Sequence, residues 1–407
     1  MERVSKPEVL LLENIHPAAT EVFERHDVIV HTRSTSLSED DLVEAVKGMT
    51  LLGLRSNTYL TERVLDAAAE LKAVGAFCIG TNQIDLAAAS ARGVAVFNAP
   101  YSNTRSVVEL VIAEIIALAR RLTEKTSKMH DGVWDKSAQG SHEIRGRTLG
   151  IVGYGNIGTQ LSNLAESMGL RVVFYDVADR LAHGNARRMP TLEALLAESD
   201  VVSLHVDGRP GNAGFFGAEQ FALMKPRSLF INAARGMIVD DVALREAILS
   251  GHIAGAALDV FPVEPKAQGD PFESALRGLP NVILTPHVGG STQEAQEEIG
   301  YFVSTKLSRF LQGSSTELSV NLPEVAAPPL ASGSRVALLH RNVPGVLAGV
   351  NQVLADLEAN VTAQYLSTRG EMGYVVTDVA SPLPDHALDR IAADDAAIWL
   401  RTHGPER

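Results

Sequence analysis

The sequence predicts an α/β protein, on three observations. Strand and helix signals alternate through most of its 407 residues, the pattern of mostly parallel sheets covered by helices. A glycine-rich turn, Gly153-Tyr-Gly-Asn-Ile-Gly158, lies between a short apolar run and a segment of helical periodicity, the arrangement of a Rossmann-type dinucleotide domain. The tail after residue 334 changes to the order β-α-β-β-α-β, which is ferredoxin-like.

Taken in order, Val9–Leu12, Val28–His31, Leu51–Leu54, Ala73–Phe77 and Val94–Phe97 read as strands. Helices are expected near Pro17–Arg25, Ser38–Lys47, Thr61–Glu70 and Leu86–Arg92, the last ended by Gly93. This first α/β domain lacks a glycine turn and ends in the polar loop Tyr101–Ser106. One long helix is expected from about Val107 to His130, joining two domains. In the second domain Thr148–Val152 has strand character. After the glycines Ile157, Leu161, Leu164, Ala165 and Met168 recur at helical intervals, and Gly169 is the stop. The first glycine permits the tight turn, the second lets a pyrophosphate approach the backbone, and the third lets helix and strand pack closely. The anion then faces the positive end of the new helix. Arg171–Tyr175 is the next strand, and Asp176 at its end is placed to accept hydrogen bonds from adenosine ribose hydroxyls. A carboxylate there repels a 2′-phosphate by about 1–4 kcal/mol, which predicts NAD over NADP. Later strands are Val201–His205, Leu229–Ala233, Ala256–Asp259 and Val282–Thr285. A helix from about Thr292 to Leu311 is expected to return to the first domain and make it discontinuous. The expected division is 1–103 with 291–325 for the substrate domain, 104–290 for the nucleotide domain, 326–333 for a linker and 334–407 for the tail domain. Thr402 to Arg407 read as a frayed end.

Composition excludes several classes. A net charge of −13 argues against a nucleic-acid binder. A single cysteine, Cys78, excludes an internal disulfide framework and a cysteine-rich zinc site, and no metal is expected. The apolar run Val107–Ala119 contains Glu109 and Glu114 and is no membrane span. With no signal pattern at Val9–Leu12, a cytoplasmic protein is expected.

In open α/β sheets the ligand sits beyond the carboxyl ends of the strands. Asp176, His205, Arg235, Asp259 and His287 all fall at or just past such ends. Each alone could be a loop cation, a turn acid or a core histidine. Together, downstream of a dinucleotide turn, they favour a hydride-transfer site.

Several segments carry a resemblance. They are Gly153–Gly158, Ile231-Asn-Ala-Ala-Arg-Gly236, Ala257-Leu-Asp-Val-Phe261 with Glu264-Pro265, and Thr285-Pro-His-Val-Gly-Gly-Ser-Thr292. Phe77–Asp85 and Phe97–Arg105 match in the first domain. On these the chain resembles the D-isomer-specific 2-hydroxyacid dehydrogenases, and among them the bacterial branch that acts on D-3-phosphoglycerate and carries a C-terminal ACT domain. The resemblance implies a discontinuous, flavodoxin-like catalytic domain, an NAD-binding Rossmann domain and a ferredoxin-like ACT domain. It implies oxidation of D-3-phosphoglycerate to 3-phosphohydroxypyruvate with NAD, the first step of L-serine synthesis, in a homotetramer. Arg235 would hold the substrate carboxylate and 2-oxo oxygen, His287 would be the acid/base and Glu264 would orient its imidazole. Asp259 would contact the cofactor carboxamide. Gly153, Gly155, Asn156, Ile157, Gly158, Asp176, Ala233, Ala234, Arg235, His287, Val288, Gly289 and Gly290 would complete the cofactor site. Arg55, Ser56 and Asn103 match substrate-contacting positions, although Asn57 stands where relatives often carry a second basic residue. Asp207, in a loop where a proline is common, is a further departure. His340, Asn342 and Asn360 match the positions by which paired ACT domains bind L-serine as effector.

Two other readings stay open on the sequence. One is a reductase of an unphosphorylated acid such as hydroxypyruvate, glyoxylate or 2-oxoglutarate. The other is a cofactor-sensing, corepressor-like binding protein. Arg55 and the ACT-like tail favour the phosphoglycerate reading over the reductase, and the match at His340, Asn342 and Asn360 counts against the corepressor.

Overall fold

The structure is a computed structural model that describes residues 6–265 and 269–405. Two compact units result, Met1–Ser102 with Gln296–Arg407, and Asn103–Ala295.

The first unit holds two sheets. One has five parallel strands, β1 (Glu8–Leu11), β2 (Ile29–Thr32), β3 (Leu51–Leu54), β4 (Ala73–Ala76) and β5 (Ala95–Phe97), in the order β2-β1-β3-β4-β5. That is the flavodoxin-like order. Its central strands are apolar on both faces because helices cover both. Leu10, Leu52, Leu54, Val74 and Val96 join one core, while Val9, Leu11, Leu51, Ala73 and Phe97 join the other with Val303, Leu307 and Phe310 of the Gln293–Gly313 helix. Successive side chains point to opposite faces of a strand, so one apolar run feeds two cores.

The other sheet is antiparallel, β13 (Ser334–Arg341), β14 (Val361–Arg369), β15 (Met372–Val379) and β16 (Ala397–His403), in the order β14-β15-β13-β16. Leu338, Val375, Val350 and Ile391 pack one face of it under two helices, Val346–Asp356 and Asp385–Ala392. This is the ferredoxin-like ACT fold. Its opposite face places Ala337, Leu339, Tyr374 and Val376 in the core that also contains Phe97 and Phe310. Trp399 Nε1 donates to Gly93 O at 2.9 Å, and the Tyr374 hydroxyl donates to Ser314 O at 2.6 Å. The strand β16 runs through Thr402 and His403, which corrects the frayed end expected there, because both pair with β13. Residues 406 and 407 lie outside the described residues. The segment 326–333 carries no helix or strand.

The second unit has seven parallel strands: β6 (Thr148–Val152), β7 (Arg171–Tyr175), β8 (Arg187–Arg188), β9 (Val201–Leu204), β10 (Ser228–Asn232), β11 (Ile253–Leu258) and β12 (Val282–Leu284). Their order is β12-β11-β10-β9-β6-β7-β8. The order reverses at β6, whose neighbours are β7 and β9. That is the switch point beyond which such sheets bind ligands.

The single helix expected over 107–130 is two helices, Thr104–Arg120 and Leu122–His130. Arg121 between them is left-handed, with φ 53°, and its guanidinium bonds Glu124. Val107, Val108, Val111, Ile112, Ile115 and Leu118 bury the first helix against the sheet, whereas the second has no buried residue. No described helix is long and apolar enough to cross a membrane.

Candidate active site

The glycine turn divides its tasks among its three glycines. A side-chain carbon on Gly158 would stand 2.3 Å from Gly153 O, so only hydrogen fits where helix meets strand. Gly155 faces open space, with nothing within 4 Å of such a carbon. It precedes the Asn156–Ser167 helix and offers no side-chain cap, so the first N–H groups are left for an anion. An exposed approach at the middle glycine, over a helix N-terminus, fits a pyrophosphate. Asp176 is held beside it. Its Oδ2 accepts from Tyr154 N at 2.7 Å and its Oδ1 from Ala178 N at 2.8 Å, with Arg180 Nε 3.8 Å away.

At the ends of β10, β11 and β12 the unit gathers Arg235, Asp259, Glu264 and His287. His287 Nδ1 lies 2.9 Å from Glu264 Oε2. That bond, and then the charge of Glu264, raises the imidazole pKa against the opposing effects of burial and Arg235. Burial alone would push the Glu264 carboxyl up. The His287 bond and charge, the Phe261 N–H at 3.1 Å and Arg235 outweigh it and hold the carboxyl below its usual value. His287 takes a left-handed backbone, φ 53°, which few non-glycine residues adopt without compensating contacts.

Those contacts come from Asp259, which is 1% exposed. Its Oδ1 accepts from Thr285 Oγ1 at 2.6 Å and Val288 N at 2.8 Å, and its Oδ2 from Gly289 N at 2.7 Å. One buried carboxylate therefore shapes the loop that carries His287. Arg235 is half-buried and has no carboxylate within ion-pair distance among the described residues; Nη1 bonds only Ala234 O, at 2.6 Å. Asn232 fixes the segment by accepting from Ala234 N and donating to Arg235 O. Gly236 meets the backbone of Phe261 so closely that a side-chain carbon would fall 1.9 Å from Phe261 C. An unpaired guanidinium, an imidazole and a carboxylate that fixes its tautomer can bind a 2-oxo acid and move one proton at its oxygen.

His205, another of the five strand-end groups, has a different role. Burial pushes its pKa down to about 4, and Nε2 lies 2.8 Å from Ser203 Oγ. A half-buried imidazole with so low a pKa stays neutral at pH 7. Asn103 opens the Thr104–Arg120 helix in this unit, with its amide against the position of Gly290.

Arg55 and Ser56 belong to the first unit, just past the end of β3. The sequence reading missed the residue that fixes them. Glu13, 8% exposed and with φ 60°, accepts from Arg55 N at 3.1 Å, Asn57 N at 2.9 Å and Thr58 N at 2.9 Å. Gln83 closes the loop from the other side by donating to Arg55 O at 2.6 Å.

In the ACT sheet His340 and Asn342 stand at the end of β13, while Asn360 precedes β14. His340 pairs in register with Gly373 of β15, but Val361, next to Asn360, pairs with Val379. Six residues of extended chain span about 20 Å. One chain therefore does not bring the three together.

Comparison with known proteins places the chain in a family. The family described as "D-isomer specific 2-hydroxyacid dehydrogenase, NAD binding domain" matches residues 112–289, and an "AHAS small subunit-like ACT domain" matches 336–392. The solved NAD-complexed D-isomer specific 2-hydroxyacid dehydrogenase of Lactobacillus delbrueckii ssp. bulgaricus superposes with a TM-score of 0.67 at 26% identity, over 75% of this chain and 97% of that one. The chain belongs to the D-isomer specific 2-hydroxyacid dehydrogenases, NAD-dependent oxidoreductases. Within that class its relatives include the D-3-phosphoglycerate dehydrogenase of Escherichia coli (strain K12), 51% identical over 97% of both chains. That of Dictyostelium discoideum is 49% identical over 97% of both.

Proposed function

We propose that this enzyme oxidises D-3-phosphoglycerate to 3-phosphohydroxypyruvate with NAD. The observation that carries the reading is the Glu264–His287 pair beside the unpaired Arg235, in a chain about half identical to enzymes of that name over nearly its whole length. NAD, when bound, would accept the hydride that leaves C2. His287 takes the hydroxyl proton as the carbonyl forms, and returns it in reduction. Glu264 holds the imidazole and stabilises its charged form. Arg235 binds the carboxylate and the oxygen at C2 through one planar fork. Asp259 shapes the 287–289 loop against which the nicotinamide carboxamide would rest. Arg55 and Ser56, on the loop that Glu13 fixes, are assigned to the substrate with Asn103. We assign 1–103 with 291–325 to the substrate domain, 104–290 to the nucleotide domain and 334–407 to the ACT domain, in a cytoplasmic enzyme.

L-serine is proposed as a feedback effector. The separation of Asn360 from His340 and Asn342 supports a site shared by two copies. β14 is an edge strand, and antiparallel pairing of two such edges sets the start of one opposite the end of the other. Two dimer contacts, one through ACT domains and one through nucleotide domains, give the proposed tetramer.

The test follows NADH absorbance with phosphohydroxypyruvate and then with hydroxypyruvate, glyoxylate and 2-oxoglutarate. Phosphohydroxypyruvate should give the highest kcat/KM, and millimolar serine should lower the rate. Better turnover of an unphosphorylated acid overturns the substrate. A rate indifferent to serine, or serine inhibition intact in Asn360→Ala, overturns the effector site.

A further inference from the structure

Glu114 lies in the middle of the Thr104–Arg120 helix and is 3% exposed. Both of its carboxyl oxygens are buried without a hydrogen-bond partner. An ionised carboxylate in that position would need a cation or several donors, and none reaches it. The residues one and two turns earlier on this helix border the cofactor loop: a side-chain carbon on Gly289 would lie 3.4 Å from Val107 and 3.7 Å from Leu110. The helix packs on β10, β11 and β12 and on the Asn156–Ser167 helix. The one charged group there that acts on Glu114 is Asp259, at the end of β11. Asp259 accepts hydrogen bonds from Thr285, Val288 and Gly289, and none from the Thr104–Arg120 helix.

We propose that Glu114 is a positioning residue that acts as a neutral carboxylic acid behind Asp259, leaving Asp259 as the one negative charge that gathers the 287–289 loop. The inference rests on the role given above to that loop. Two carboxyl groups in one dry environment separate their proton affinities, and the one with donors ionises while the one without keeps its proton. Burial, then the charge of Asp259, raises the Glu114 carboxyl to about 8. Ionisation above that pH sets a second, unpartnered charge against that of Asp259 and loosens the loop that Asp259 gathers.

The experiment reads NADH affinity by fluorescence titration from pH 6 to 9.5 in the full-length enzyme and in Glu114→Gln. NADH is chosen because its ring carries no charge, and no substrate is needed, so a wrong substrate assignment leaves the result interpretable. The wild type should lose affinity by roughly threefold to tenfold between pH 7 and 9, and Glu114→Gln should match the wild type at pH 7 and lack that loss. Parallel profiles to pH 9.5, or a Gln variant already defective at pH 7, would overturn the proposal. Should the variant fail to fold, infrared spectra of wild-type enzyme carrying ¹³C-labelled glutamate decide it. A protonated carboxyl band at pH 7 that disappears above pH 8 supports the neutral acid, and its absence at pH 7 overturns it.

Discussion

Taking the Glu264 carboxylate away from His287 removes the largest cause of the raised imidazole pKa and leaves burial and Arg235, which lower it, against the charge of Asp259 alone. In the proposed reaction, oxidation needs His287 neutral and reduction needs it charged. Glu264→Gln should therefore move the acid limb of the oxidation profile, and the alkaline limb of the reduction profile, to lower pH. Limbs that stay in place would show that another group titrates. His287→Asn should lower kcat by about 10²–10⁴-fold while NADH titrates with nearly wild-type affinity, as expected when only proton transfer is lost. At this scale strand polarity made one thing legible in the sequence, that Arg235, Asp259 and His287 fall at the same edge of one sheet, past β10, β11 and β12. Glu13 and Glu114 were not legible. The partners of Glu13 are backbone N–H groups more than forty positions away, and Glu114 is defined by the partners it lacks. His205 shared the strand-end position, but its contact with Ser203 and the desolvation of its ring decided its state.

Strands β1 to β7 and β9 to β12 were readable as apolar runs between turn signals. The edge strand β8 was not, since two exposed arginines carry no periodicity. The break at Arg121 left no trace either: no glycine or proline marks it, and the arginine adopts φ 53° with its guanidinium bound to Glu124. Apolar spacing also continued past it, although Leu122 and Met129 are exposed. Gly236 illustrates an element-level constraint hidden inside a motif. The short turn after β10 crosses the segment after β11 with backbone in contact, so Gly236→Ala must push the two apart. Overpacking of this kind costs about 1–3 kcal/mol and occasionally more. Urea unfolding should show that loss, together with a raised KM, because Arg235 is the adjacent residue. A variant as stable as the wild type would show that the two segments separate without strain.

In the first unit, the ACT sheet shares its core with the five-stranded sheet and the Gln293–Gly313 helix, and an ion pair is buried beside this contact. Arg335, 1% exposed, donates to both Asp378 oxygens at 2.6 and 2.8 Å, to Gly313 O and to Pro328 O. Beside it, burial first, then Arg401, Arg335 and Lys72, push the His403 pKa down to about 4. The unfolded chain thus takes up this proton first. The stability His403 contributes is complete above pH 6.5 and is lost as pH falls from there towards 4. The wild-type Tm should drop between pH 7.5 and 5, and His403→Gln should show a smaller drop, because His205 still contributes its own. An equal drop in both would mean that His403 is not neutral in the fold. The ion pair makes a separate prediction. Asp378→Asn leaves a buried guanidinium without its counter-charge, which costs about 3–5 kcal/mol. Replacing both partners, Arg335→Met with Asp378→Leu, should recover much of that loss, since the desolvation of two charges disappears with their attraction. NADH affinity should be unchanged in both variants, because the residues assigned to the cofactor lie in Asn103–Ala295. If the single variant is as stable as the wild type, Arg335 is held by its two carbonyl acceptors alone, and the ACT sheet is fixed to the first unit by its apolar contacts.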